Sequence, residues 1–353
     1  MNVLSLFDGM SGARLALDKA GIRVDSYYAS ETDVHAIKVS KHNYPDIVHL
    51  GCVKNVPAWA LPKIDLLIGG SPCQGFSFAG KQLNFSDPRS ALFFEYVRLL
   101  KELSPTYFLL ENVKMKQEYQ DVISDMLGVQ PIEINSSLVS AQNRKRLYWT
   151  NIPDVTVPED KGVMWGDVRE HGVNEFYYTE KGMQWLARSS IRRNRLLDVH
   201  LDDEKMQMIE ASHYKGYSNQ RFFGILDVPS DTECVAAMRG RYIKDGVRQD
   251  AKQSVSGMTT QYIEFRYDGK SNALTTVGKD NVIVPFTLDG RVPTDEFFFR
   301  YVTPRECERL QTVPDDYTSC VSNTQRYRML GNGFTIDVIA HILKCLTGAK
   351  SSI

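Results

Sequence analysis

Three stretches carry side chains that could act together in covalent chemistry. The first, Ile64-Asp-Leu-Leu-Ile-Gly-Gly-Ser-Pro-Cys-Gln-Gly-Phe-Ser77, is an apolar run ending in small residues. It reads as a buried parallel strand that delivers Cys73 to a loop at its carboxyl end, where open α/β sheets place their chemistry. Pro72 fixes one backbone angle just before the cysteine, and Gly75 and Gly80 let the following loop bend. A lone cysteine is more often a small buried hydrophobe than a nucleophile. The second stretch shifts the balance: Glu111-Asn112-Val113 closes another apolar run, so two neighbouring strands would present a thiol and a carboxyl at one sheet edge. In the third, Gln142-Asn-Arg-Lys-Arg146 enters the strand-like Leu147-Tyr-Trp. Its arginines could merely mark a surface edge, yet a glutamate at work needs an orienting partner.

The elements that must position these residues read as an α/β fold. A first strand over 3–7 runs through the turn Asp8-Gly-Met-Ser-Gly12 into a helix with Leu15, Ala16 and Ala20 on one side. Because Ser11 interrupts the glycines, the turn departs from the G-x-G-x-x-G of nicotinamide-dependent dehydrogenases. A second strand, 27–30, ends at Glu31, a position from which an acid commonly binds ribose hydroxyls, although a helix-start carboxylate looks the same. Asp33 opens the next helix. Residues 75–88 form a long loop without periodicity, and the spacing of Leu92, Tyr96, Leu99 and Leu103 predicts a core helix over 91–103. From Pro153 the texture changes to short mixed strands and turns. Thr303-Pro-Arg-Glu306 predicts a capped helix start, and Gly331-Asn332-Gly333 precedes a helix over 335–346. The domains expected are therefore 1–152, a smaller one at 153–297, and a segment at 298–353 that returns to the first.

The 353 residues can bury a large core, and at 42% hydrophobic and 24% charged the composition is that of an ordinary soluble protein. No signal peptide or membrane-length apolar run is visible, and six cysteines without a C-x-x-C pair argue against a zinc site and suit a reducing, cytoplasmic interior; no metal is expected. The net charge of −1 counts against nucleic-acid binding only at first sight, because distribution matters more than the sum. Arg188, Arg192, Arg193 and Arg195 form one basic cluster; Arg239, Arg241, Lys244, Arg248 and Lys252 form a second. Such runs are usually solvated faces.

Five motifs in order, Phe7-Asp-Gly-Met-Ser-Gly12, Pro72-Cys73-Gln74, Glu111-Asn112-Val113, Gln142 to Arg146 and Gly331-Asn332-Gly333, resemble those of DNA cytosine-5 methyltransferases. The likeness covers about 1–150 and 298–345, with the middle matching loosely. It is to the bacterial and phage type, and Arg89 to Glu95 also resembles the animal de novo branch, in which self-association would be an issue. The resemblance implies a Rossmann-like sheet that binds S-adenosylmethionine, with a smaller target-recognition domain. Cys73 would be the nucleophile, Glu111 would act at cytosine nitrogen 3, Arg146 would hold the exocyclic oxygen and Arg144 would arrange the glutamate and phosphate contacts. Phe7, Gly9, Ser11, Gly12, Glu31, Leu92 and Asn332 would hold the cofactor. Cys52 stands where the family has an aspartate for the adenine amino group, and a thiol is a poor substitute acceptor. Gln74, Ser77, Arg89, Arg239 and Arg241 would contact double-stranded DNA, and the family's usual Thr-Leu pair is Ala273-Leu274 here. A restriction–modification setting would add a cognate endonuclease as partner; a phage or orphan setting would not.

Two rivals stand beside this reading. An RNA-directed enzyme on the same scaffold belongs to a branch with a Cys-Phe-Thr motif, which this chain lacks. A silent DNA-binding homologue would fit Cys52 and Ala273 but not an intact Cys73, Glu111 and Arg146.

Overall fold

The computed structural model describes residues 1–71, 91–170 and 302–348, together with Val173, Glu175, Phe176 and the backbone of seven strands between 225 and 300. In chain order the first half gives β1 (Asn2–Leu6), α1 (Gly12–Lys19), β2 (Ser26–Ser30), α2 (Val34–Asn43), β3 (Val48–His49), β4 (Leu66–Gly70), α3 (Ala91–Leu103), β5 (Tyr107–Val113), α4 (Gln117–Leu127), β6 (Ile132–Asn135), β7 (Gln142–Asn143), β8 (Lys145–Thr150) and α5 (Trp165–Val168). Then come β9 (Ile225–Asp227), β10 (Glu233–Lys244), β11 (Val247–Gln249), β12 (Thr260–Phe265), β13 (Ser271–Asn272), β14 (Val282–Pro285) and β15 (Phe298–Arg300), and finally α6 (Pro304–Leu310), α7 (Asn323–Asn332) and α8 (Ile336–Gly348).

Seven strands form one sheet in the order β3-β2-β1-β4-β5-β8-β6. All neighbours are parallel except β8, which runs antiparallel between β5 and β6. The order reverses between β1 and β4, and a sheet of this kind opens its ligand crevice at that switch point, beyond the carboxyl ends of the strands. Central strands are apolar on both faces because helices cover both. Val3, Ile68 and Leu109 join the core that includes α1 and α8, whereas Leu4, Leu67 and Leu110 face the core under α3 and α4. Gly69 is required for packing, since a Cβ there would lie 2.8 Å from the Leu6 carbonyl oxygen.

Local signals in the sequence match these elements closely. Asp33 caps α2 by accepting from the amides of His35 and Ala36, and the helix expected over 91–103 is α3. Thr303 and Glu306 form a reciprocal capping box around Pro304. The expected first strand ends one residue early, because Phe7 takes a left-handed backbone (φ 57°) that a strand cannot continue through.

The change of texture at Pro153 does not mark a change of core. Trp165 and Val168 are buried with α6 and α8, and the Lys161 amide donates to the Leu138 carbonyl. Farther along, β10 pairs antiparallel with β11, β12 and β14, while the two-residue β13 adds in parallel to β7.

Candidate active site

β4 and β5 bring the two expected stretches together. Gly70 lies opposite Glu111 in the parallel register, and Ser71 follows at the carboxyl end of β4. Cys73, Gln74, Ser77, Arg89 and the loop over 75–88 lie outside the described residues. The described chain shows what precedes them: Asn112 Nδ2 donates to Ser71 Oγ at 3.0 Å, with both residues buried. The residue after the glutamate therefore anchors the start of the cysteine segment, a function its type alone did not reveal.

Glu111 is 8% exposed. Arg146 Nε sits 3.2 Å from its Oε1, and β8 delivers that arginine by pairing Arg146 with Val113 and Tyr148 with Glu111. Burial pushes the carboxyl above the ordinary glutamate range; Arg146 and Arg144 pull it down without cancelling the effect. Gly70 has no room for a side chain, as its Cβ would meet the Phe334 ring at 3.0 Å and Glu111 Oε2 at 3.2 Å.

Arg144 is almost fully buried and points elsewhere. Its Nη1 donates to the Gly331 carbonyl at 3.2 Å and its Nη2 to Gly333 at 2.9 Å. Beside it, Gln311 donates to the Leu330 carbonyl and accepts from Gln142 and Thr335, while Ser136 donates to Thr335. Arg144 thus secures the returning C-terminal segment on the sheet, and its charge also acts on Glu111.

On the other side of the switch point, the turn after β1 alternates left-handed residues: Phe7 (φ 57°), Gly9 (60°) and Ser11 (64°). Glu31 ties it down. Its Oε2 accepts the Gly9 amide at 2.8 Å, and its Oε1 accepts the amides of Thr32 and Asp33 at 2.6 and 2.8 Å. A carboxylate offers about four acceptor positions, so Glu31 has capacity for a further donor beside these three amides. Gly12 is pinned between Ile336 and Phe334 of the returning segment. Asp8 lies beneath the turn, nearly buried, and receives Tyr27 and Ser11. Burial pushes it up to about 6 against those hydrogen bonds.

The remaining cofactor candidates lie on three other elements. Half-exposed Cys52 opens a short helical turn just beyond β3, where Ser30 Oγ holds the Gly51 carbonyl at 2.8 Å. Leu92 packs partly buried at the start of α3, and Asn332 is exposed at the end of α7. Arg239 and Arg241 lie on β10, opposite Tyr262 and Thr260. An alternating left-handed turn, a ribose-competent acid and a strand-order reversal together fit the nucleoside and amino-acid parts of S-adenosylmethionine.

Solved methyltransferases share the overall fold. A methyltransferase of Entamoeba histolytica, EhMeth, superposes with a TM-score of 0.65 at 16% identity, over 99% of this chain and 98% of that one. A variant of Spodoptera frugiperda DNMT2 gives 0.61 at 20% identity, over 98% and 99%. The family model for C-5 cytosine-specific DNA methylase matches residues 1–347, so the chain belongs to that family and is an enzyme of its class. The match runs through the middle region, beyond the two blocks in which the motifs lie. Among curated relatives, the type II methyltransferase M1.ScrFI of Lactococcus lactis subsp. cremoris is 28% identical, over 96% of this chain and 75% of its own length. The orphan methyltransferase M.SPRI of Bacillus phage SPR is 25% identical, over 98% and 97%.

Proposed function

We propose that this enzyme methylates carbon 5 of a cytosine within a specific double-stranded DNA sequence, through a covalent adduct on Cys73. The observation that carries the reading is the buried Glu111–Arg146 pair at the end of β5, one strand from the segment that leads into Cys73.

Carbon 5 of cytosine is too weak a nucleophile to take a methyl group unaided. Addition of the Cys73 thiolate to carbon 6 makes carbon 5 enamine-like. Negative charge then builds toward nitrogen 3, where Glu111 donates a hydrogen bond from its protonated form, the form that burial favours. Arg146 turns from the carboxyl toward the exocyclic oxygen. S-adenosylmethionine, when bound, supplies the electrophilic methyl of a sulfonium. Phe7, Gly9, Ser11, Gly12, Glu31, Cys52, Leu92 and Asn332 hold it, with Glu31 on the ribose. A base then takes the carbon 5 proton, and the electron pair of that C–H bond expels the Cys73 thiolate to complete the turnover. The reacting atoms are inaccessible in a stacked duplex, so the base must flip out at a cost of a few kcal/mol. Gln74, Ser77 and Arg89 grip the DNA near the cysteine. Arg239 and Arg241 contact it from a recognition region that we place after about residue 170, because 153–170 pack on the catalytic core.

The relatives' names span type II and orphan enzymes, and a cognate endonuclease is the partner in the former setting. No single helix among the described residues is long and apolar enough to cross a membrane; the cytoplasm as the place of action is part of the proposal. Incubation with DNA carrying 5-fluorocytosine in the methylated sequence tests the covalent step: the chain should form a denaturation-resistant complex, and Cys73→Ala should form none. An adduct that survives Cys73→Ala removes that residue as nucleophile.

A further inference from the structure

The left-handed turn after β1 is gripped from beneath by a chain of hydrogen bonds that ends on a different strand. Ser11 Oγ lies 2.6 Å from Asp8 Oδ2 and 2.6 Å from Ser40 Oγ, and Ser40 Oγ lies 3.2 Å from His49 Nε2. Tyr27 donates to the other oxygen of Asp8 at 2.7 Å. Ser11 and Ser40 are fully buried.

Proton counting sets the direction of the chain. A hydroxyl has one proton to give. Near neutral pH an ionised Asp8 only accepts, so Ser11 gives it a proton and must itself receive one from Ser40. Ser40 has then spent its only proton and must accept from His49, which fixes that ring with its proton on Nε2. The chain serves Ser11, a residue whose side chain disfavours the φ of 64° it holds.

We infer that Ser40 on α2 and His49 on β3 are positioning residues for S-adenosylmethionine: they hold Ser11, and with it the amides of the turn, in the cofactor-binding conformation. The inference rests on the proposed use of that turn as the cofactor site. Neither residue touches the cofactor in this account. Each acts through Ser11.

Calorimetric titration of the full chain with S-adenosylhomocysteine tests it. Ser40→Ala and His49→Leu should each weaken binding by about three- to tenfold, the size of one net hydrogen bond. His49→Gln keeps a donor in place and should recover most of the loss. Glycine takes a left-handed backbone without help from a hydroxyl, so Ser11→Gly combined with Ser40→Ala should bind as well as Ser11→Gly alone. In methyl transfer the single changes should raise KM for the cofactor and leave kcat nearly intact. Unchanged affinity in Ser40→Ala, or a double variant as weak as Ser40→Ala beside a tight Ser11→Gly, would overturn the inference. The glycine comparison decides the question even if Ser40→Ala also lowers the melting temperature. A wild-type chain that binds no S-adenosylhomocysteine refutes the cofactor reading itself, and this inference with it.

Discussion

The two sides of the strand-order reversal solve opposite problems. On the cofactor side, side-chain acids hold backbone: Glu31 gathers the amides of Gly9, Thr32 and Asp33, and Asp8 takes the hydroxyls of Ser11 and Tyr27. On the base side, backbone and neighbours hold side chains: the carbonyls of Gly331 and Gly333 fix Arg144, and Ser71 meets Asn112. The first arrangement shapes a turn to wrap a ligand rich in hydroxyl and amine groups. The second fixes buried polar groups next to the Glu111–Arg146 pair, which the proposed chemistry would use on a flat ring.

Changes on the base side should therefore damage chemistry, and changes on the cofactor side should damage affinity. The largest effect expected is from Cys73→Ala, which should reduce methyl transfer to background while leaving S-adenosylhomocysteine binding intact by calorimetry. Next, Glu111→Gln should lower single-turnover kcat by about 10²- to 10³-fold, the loss usual for one preorganised donor, again with normal cofactor affinity. Glu31→Gln should do the reverse. An amide has one acceptor oxygen for three backbone donors, so cofactor affinity should fall by about tenfold or more and stability by about 1–3 kcal/mol, read from titration and denaturant unfolding. A mainly kinetic defect in Glu31→Gln would break the comparison.

A smaller effect sharpens it. Arg146 pulls the Glu111 carboxyl down, so Arg146→Leu should let its pKa rise farther. The rate needs the protonated carboxyl and falls as pH rises through that pKa, so the alkaline limb of the kcat profile should move to higher pH in the variant. A limb that moves to lower pH would contradict the assignment of Glu111 as the donor.

Much of this was legible because local rules decide it. The caps at Asp33 and Thr303, the spacing of α3 and the adjacency of the strands before Cys73 and Glu111 depend on neighbours in sequence or on a simple apolar pattern. What escaped depends on distant partners. Arg144 read as a companion of the glutamate, yet its donors go to carbonyls nearly two hundred residues away, and nothing in Gln142-Asn-Arg-Lys-Arg146 announces that. Ser40 and His49 look like ordinary surface-helix and strand residues until α2 and β3 fold over the turn. The packing of residues just after Pro153 escaped for a related reason: polar, turn-rich segments can still place a Trp165 in an existing core. The left-handed Phe7 and Ser11 were likewise invisible, since neither residue type advertises that conformation.

Substrate and activity are decided together by transfer of labelled methyl from S-adenosylmethionine to unmethylated plasmid DNA and, in parallel, to tRNA, followed by bisulfite sequencing of the DNA. Label should appear in DNA alone, with protected cytosines confined to one short sequence and both lost in Cys73→Ala. Label in tRNA with untouched DNA would contradict it and move the enzyme to an RNA substrate, and transfer to neither despite cofactor binding would make the chain a silent homologue.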